Sequence, residues 1–159
     1  MMNLVSGTNK AQQYRATRPV SVTRGGKVVQ DLSKVYRYRD ALAESMATMA
    51  LCSGQDFEVV TVDEAIQMYE SNKTQFTSFT FIKVRECTTR TITTKKWSGY
   101  KPKTQPKPRT ENPDQYSVFD TNVARGMSQE DLESGRAMRS FNKNTLVSMK
   151  HNGKLYIIA

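Results

Sequence analysis

One histidine and two cysteines are all that this 159-residue chain offers of the residue types most often recruited for metal binding or nucleophilic chemistry. Cys52 and Cys87 stand far apart and outside any C-x-x-C spacing. With His151 they cannot supply the four ligands of a structural zinc site, which is thereby excluded within one chain. In a reducing compartment each cysteine is expected to be a small buried hydrophobe rather than half of a disulfide. His151 lies directly before a predicted turn, where an exposed polar residue is the ordinary finding, and is a poor catalytic candidate.

Nucleotide and hydrolase signatures are missing as well. Gly7-Thr8-Asn9-Lys10 lacks the first glycine and the closing Ser/Thr of the phosphate loop, and neither G-x-G-x-x-G nor G-x-S-x-G occurs. A triad of the Ser, His and acid type would have to use His151. The one catalytic arrangement left open is a carboxylate pair such as Asp56 with Glu58 or Asp63 with Glu64. A non-enzymatic role without a cofactor is the expectation.

Long apolar runs are missing too. None exceeds Leu155–Ala159, far short of the ~20 residues that span a bilayer, so no membrane partner is expected. The first twenty residues hold no signal-peptide centre, which makes the cytoplasm or the inside of a viral particle the expected location. Mitochondrial import stays open, because this stretch has two arginines and no acid.

What is present fits one soluble α+β domain with appendages, since 37% hydrophobic and 25% charged residues fall in the globular range. Residues 1–18 are polar and aperiodic and read as a flexible tail. Residues 19–97 read as the main domain. Within it, Pro19–Gln30 alternates with period two around Gly25-Gly26, a hairpin with a basic tip. A helix is expected over 33–52, its buried face made of Val35, Tyr38, Leu42, Met46 and Met49, with Gly54 as the stop. Phe57–Val60 reads as a strand. Thr61-Val62-Asp63-Glu64 has the capping-box form and opens a helix over 62–71. Gln75–Val84 and Thr88–Trp97 are β-prone and expected to pair.

Residues 98–115 hold four of the five prolines and read as a Pro/Lys-rich linker or arm. In 116–159, Ser128 is expected to cap a helix reaching about residue 141. Thr145–Lys150 and Lys154–Ile158, joined by Asn152-Gly153, form a type I′ hairpin. This last segment is expected to pack on the same domain. The fold expectation is therefore α+β, two or three hairpins packed with two or three helices.

Charge is the informative feature. The net +9 is segregated: residues 1–39 carry eight Lys/Arg and one acid, 40–72 seven acids and no Lys/Arg, 73–109 ten Lys/Arg and one acid, while 110–159 balances. Such a field attracts polyanions. The candidate nucleic-acid-binding cations are Arg24, Lys27, Lys83, Arg85, Arg90, Lys95, Lys96, Lys101 and Lys103, with Trp97 and Tyr100 as groups that stack on unpaired bases. Lys83 and Arg85 are expected on one strand face, and Arg90 with Lys96 on one face of the next. The sequence thus points to a protein that binds RNA or single-stranded DNA mainly through phosphates. The alternative is a structural or accessory subunit of a virion or ribonucleoprotein. Its arms would contact neighbouring subunits, and its acidic block would meet the basic segments of a second copy.

Overall fold

The Asn152-Gly153 hairpin, the strongest local signal in the sequence, lies at the centre of the molecule. In the computed structural model, which describes residue 13 and residues 15–73, 75–95 and 114–159, both turn residues take positive φ, 52° and 80°. That is the backbone a two-residue type I′ turn requires. The strands it joins, numbered in chain order as β8 (Leu146–His151) and β9 (Lys154–Ile158), are the inner members of a five-stranded sheet. Outside β9, and parallel to it, runs β3 (Phe57–Val60). Beside β8 lies β4 (Thr77–Lys83), which pairs in turn with β5 (Thr88–Thr94), both antiparallel. The order is β3-β9-β8-β4-β5, so strands from the middle of the chain and its last two strands share one sheet.

Two-stranded ribbons stand apart from this sheet. One is β1 (Ser21–Arg24) with β2 (Lys27–Asp31), turning through Gly25-Gly26. The other is β6 (Gln115–Phe119) with β7 (Met138–Asn142). The fold is mixed α+β.

The long helix α1 (Ser33–Ser53) covers one sheet face, and Gly54 at φ 71° ends it. Its buried residues are Val35, Tyr36, Arg39, Ala43, Ala47 and Ala50, packed on Ile82, Val147, Leu155 and Ile157. The expected stripe of Tyr38, Leu42, Met46 and Met49 is displaced by one residue. Tyr38 is 43% and Met49 68% exposed, while Leu42 and Met46 are half-buried. One residue is about 100° of helix, so the spacing was sound and the face was not. Alanines let the helix approach the sheet closely, and Arg39 fills the remaining space at 0% exposure. The same rotation carries Cys52 to the exposed side, contrary to the expected burial, while Cys87 is half-buried; both thiols are free.

The other face carries α2 (Val62–Ser71) and the β6–β7 ribbon. Thr61 accepts from the Glu64 backbone N–H at 3.2 Å, so the expected N-cap forms. Tyr69 meets Phe79 edge-on at 5.2 Å, and Phe141 stacks on Phe81 at 5.1 Å. Fully burying side chains such as Phe79, Leu146 or Met149 is worth about 1.5–3 kcal/mol each.

The helix expected from Ser128 to about 141 is much shorter. Ser128 does cap a helix, accepting from Asp131 N–H at 3.2 Å, but the helix α4 covers only Gln129–Glu133. Gly135 at φ 79° turns the chain away and residues 138–142 become β7. With α3 (Thr121–Ala124) this segment closes a small cluster of Phe119, Ala124, Leu132 and Ala137.

Two turns into α1, Asp40 gathers three guanidinium groups: Arg18 in a bidentate pair at 2.8 and 2.9 Å, Arg39 at 2.8 Å and Arg15 at 3.6 Å. Most of the tail lies outside the described residues, as do residues 98–113 of the arm. Among the described residues no helix is long and apolar enough to cross a membrane.

Candidate nucleic-acid interface

Side chains alternate along a strand, so residues paired across β4 and β5 project to the same side. Phe81 pairs with Arg90 and Phe79 with Ile92. Phe79, Phe81 and Lys83 from β4 therefore share a face with Arg90 and Ile92 from β5. The inner part of this face is sealed by α2 and by Phe141 of β7. Beyond Phe81 and Phe141 the two ribbons diverge and leave a groove of about 500 Å³. Phe81, Ile92 and Phe141 make its apolar floor, Gln115, Ser140 and Asn142 line the β6–β7 side, and Lys83, Arg85, Glu86, Arg90 and Arg139 supply its charge.

Four cations face one carboxylate there, and their partners decide which are available. Lys83 Nζ reaches Glu86 Oε2 at 3.3 Å, so this pair largely cancels. Arg139 donates to the backbone carbonyls of Arg136 and Met138 at 2.6 and 2.8 Å, which orients it and leaves its charge uncompensated. The guanidinium groups of Arg85 and Arg90 have no hydrogen-bond or carboxylate partner among the described residues. A guanidinium in this state is a planar fork with its donors free, the geometry that suits a phosphate.

Of the residues expected to bind, the structure thus brings Lys83, Arg85 and Arg90 together. Arg85 does so from the β4–β5 turn rather than from the strand face it was expected to share with Lys83. Arg24 and Lys27 stand at the β1–β2 turn, and none of the described residues lining the groove comes from that ribbon. Lys95 follows the far end of β5, about 16 Å along the strand from Arg90, where its backbone N–H donates to Thr121 Oγ1 at 3.0 Å. Lys96, Trp97, Tyr100, Lys101 and Lys103 lie outside the described residues. Arg139 was missed because it falls in the charge-balanced last third and inside the helix expected there. Reading Met138–Asn142 as a strand would have placed it.

A second groove of about 550 Å³ lies at the opposite edge, lined by Glu58, Glu64, Gln67, Tyr156 and His151 among others. Its acids make it a poor anion site. His151 is buried, against expectation, with Nδ1 2.7 Å from Thr77 Oγ1. Thr77 Oγ1 also lies 3.1 Å from the Gln75 carbonyl oxygen. Burial pushes the His151 pKa down and keeps the ring neutral. Among the described residues no group of three His, Cys, Asp or Glu side chains is placed to hold a metal ion.

No protein-family model matches the chain, and no match to it was found among the curated proteins or the solved structures.

Proposed function

We propose that this is a non-enzymatic protein that binds nucleic acid through its phosphates, with the groove between the β4–β5 and β6–β7 ribbons as the contact surface. The observation that carries this reading is the pair of unpartnered guanidiniums, Arg85 and Arg90, beside Arg139 in a groove with a single carboxylate. An apolar floor of Phe81, Ile92 and Phe141 beneath the cations offers a surface for unpaired bases, so single-stranded RNA or DNA is the expected ligand. Phosphate contacts of this kind give affinity without sequence readout.

The test is fluorescence anisotropy with labelled single-stranded RNA, single-stranded DNA and duplex DNA across a salt series. Affinity for the single strands should exceed that for the duplex and fall steeply with salt. In the Arg85→Ala, Arg90→Ala double variant the slope of log affinity on log salt should decrease by about 0.7 for each lost phosphate contact. Unchanged affinity and slope in the double variant would remove the groove from the account.

A further inference from the structure

Sheet edges need protection, because a strand with one side unpaired is a template for another strand. Among the described residues nothing pairs with the outer side of β3 or of β5. One device that blunts such edges is present at the far end of β5, where α3 packs against it and Thr121 Oγ1 accepts from the Lys95 backbone N–H at 3.0 Å; the rest of β5 largely lacks them. Its seven residues pair with β4 in unbroken register, without a bulge and without proline, and Arg90 is its one charge. On β3 the one charge is Glu58, which is exposed and meets Lys154 Nζ of β9 at 3.0 Å.

Register places these two charges on the same side of the sheet. Lateral neighbours run Glu58, Tyr156, Met149, Phe79, Ile92 across all five strands, and Arg90 lies two positions from Ile92 on the same face. Strand direction fits as well. Through one parallel and three antiparallel pairings, β5 runs opposite to β3. A second copy set beside the first with its sheet facing the same way therefore brings its β3 antiparallel to β5, the more stable pairing. With an offset of two residues it also sets Glu58, beside its Lys154 contact, across from Arg90, and on the other face places the half-buried Phe57 and Val59 beside the threonines of β5.

We infer that this chain associates with copies of itself head to tail, β5 of one molecule adding the next molecule's β3 to its sheet, with Glu58 and Arg90 fixing the match. The contact is heterologous, so each added copy presents a fresh β5 edge and growth continues unless a ring closes. With only four residues in β3, the association is weak and depends on concentration. It stands apart from the nucleic-acid reading, although Arg90 takes part in both, so the test uses protein freed of nucleic acid by nuclease and high salt.

Sedimentation velocity over a concentration series should show the weight-average mass of the full chain at least doubling, and the rise should be suppressed by salt. Glu58→Lys and Arg90→Glu should each remain at monomer mass, because each puts like charges across the junction. An equimolar mixture of the two variants should regain the wild-type rise, since opposite charges then face each other at both junctions. Circular dichroism melts of each variant control for folding. A monomeric wild type, single variants that assemble like wild type, or folded variants that fail to associate when mixed would each overturn the inference. The last result would point to an extended peptide of another protein as the occupant of the β5 edge.

Discussion

Arg39 is the residue that ties α1 to the backbone of β8 and β9. Its Nε donates to the Leu146 carbonyl at 2.9 Å, one Nη to the Ile158 carbonyl and the other to Asp40 at 2.8 Å. Burial pulls its pKa down, and the Asp40 hydrogen bond and charge oppose that. Asp40 would keep Arg18 and Arg15, but the buried Leu146 and Ile158 carbonyls would lose their donor, so Arg39→Ala should lower unfolding stability by about 1–3 kcal/mol for each carbonyl left unsatisfied. Arg39→Lys should not restore it, because a point charge cannot reach three acceptors in one plane. Urea titration checks both. For Asp40, burial raises the pKa, but hydrogen bonds from Arg18 and Arg39 and their charges prevail and hold it low. A carboxyl depressed in the folded state adds stability above its unfolded pKa of about 3.9 and loses it as pH falls through the folded value. The melting-temperature gap between wild type and Asp40→Asn should therefore be full at neutral pH and shrink below about pH 4. A gap that stays constant to pH 2 would mean that Asp40 carries no such linkage.

At the scale of elements, the rotated face of α1 gives a clear contrast. Met49→Lys, on an exposed position, should change stability by no more than about 0.5 kcal/mol. Ala47→Leu, at 0% exposure under the sheet, should cost about 1–3 kcal/mol through overpacking. The opposite ranking in denaturant titrations would restore the Tyr38-Leu42-Met49 face. Hydropathy could not find the true face, because it scores arginine as solvent-seeking and alanine as indifferent. What buries Arg39 are carbonyls over a hundred positions away in sequence. Signals carried within a few residues were legible: the Thr61 cap, the Gly54 stop, and the positive-φ turns at Gly25-Gly26 and Asn152-Gly153. The short α4 was not, since Met138–Asn142 becomes a strand through pairing with β6, over twenty positions away, and through the packing of Phe141 against Phe79 and Phe81. The site divides the same way. Lys83, Arg85 and Arg90 are close in sequence and could be grouped, whereas Arg139 joins them only through the β6–β7 ribbon.

For the whole molecule, the order β3-β9-β8-β4-β5 puts the last two strands in the middle of the sheet. A fragment ending at residue 97 lacks them, which leaves β3 without a neighbour and exposes the faces of β4 and of α1. It should show no cooperative thermal transition by circular dichroism, although it holds most of the helix and half of the strands. A cooperative melt would mean that residues 19–97 fold alone. The charge map also acquires a geometry: the basic groove stands at the β5 side of the sheet and the Glu58–Glu64 groove at the β3 side. Both proposals, the attraction of a polyanion and the head-to-tail match of edges, rest on this one polarity.

The most direct measurement is a backbone-amide NMR titration of the full chain with a short single-stranded oligonucleotide at low salt. The shifts should cluster at Lys83–Arg90, Gln115 and Arg139–Asn142, and they should collapse in the Arg85→Ala, Arg90→Ala variant. Binding whose shifts fall elsewhere, at the β1–β2 turn or around Lys95 with the groove unmoved, would contradict the account, as would the absence of any shift.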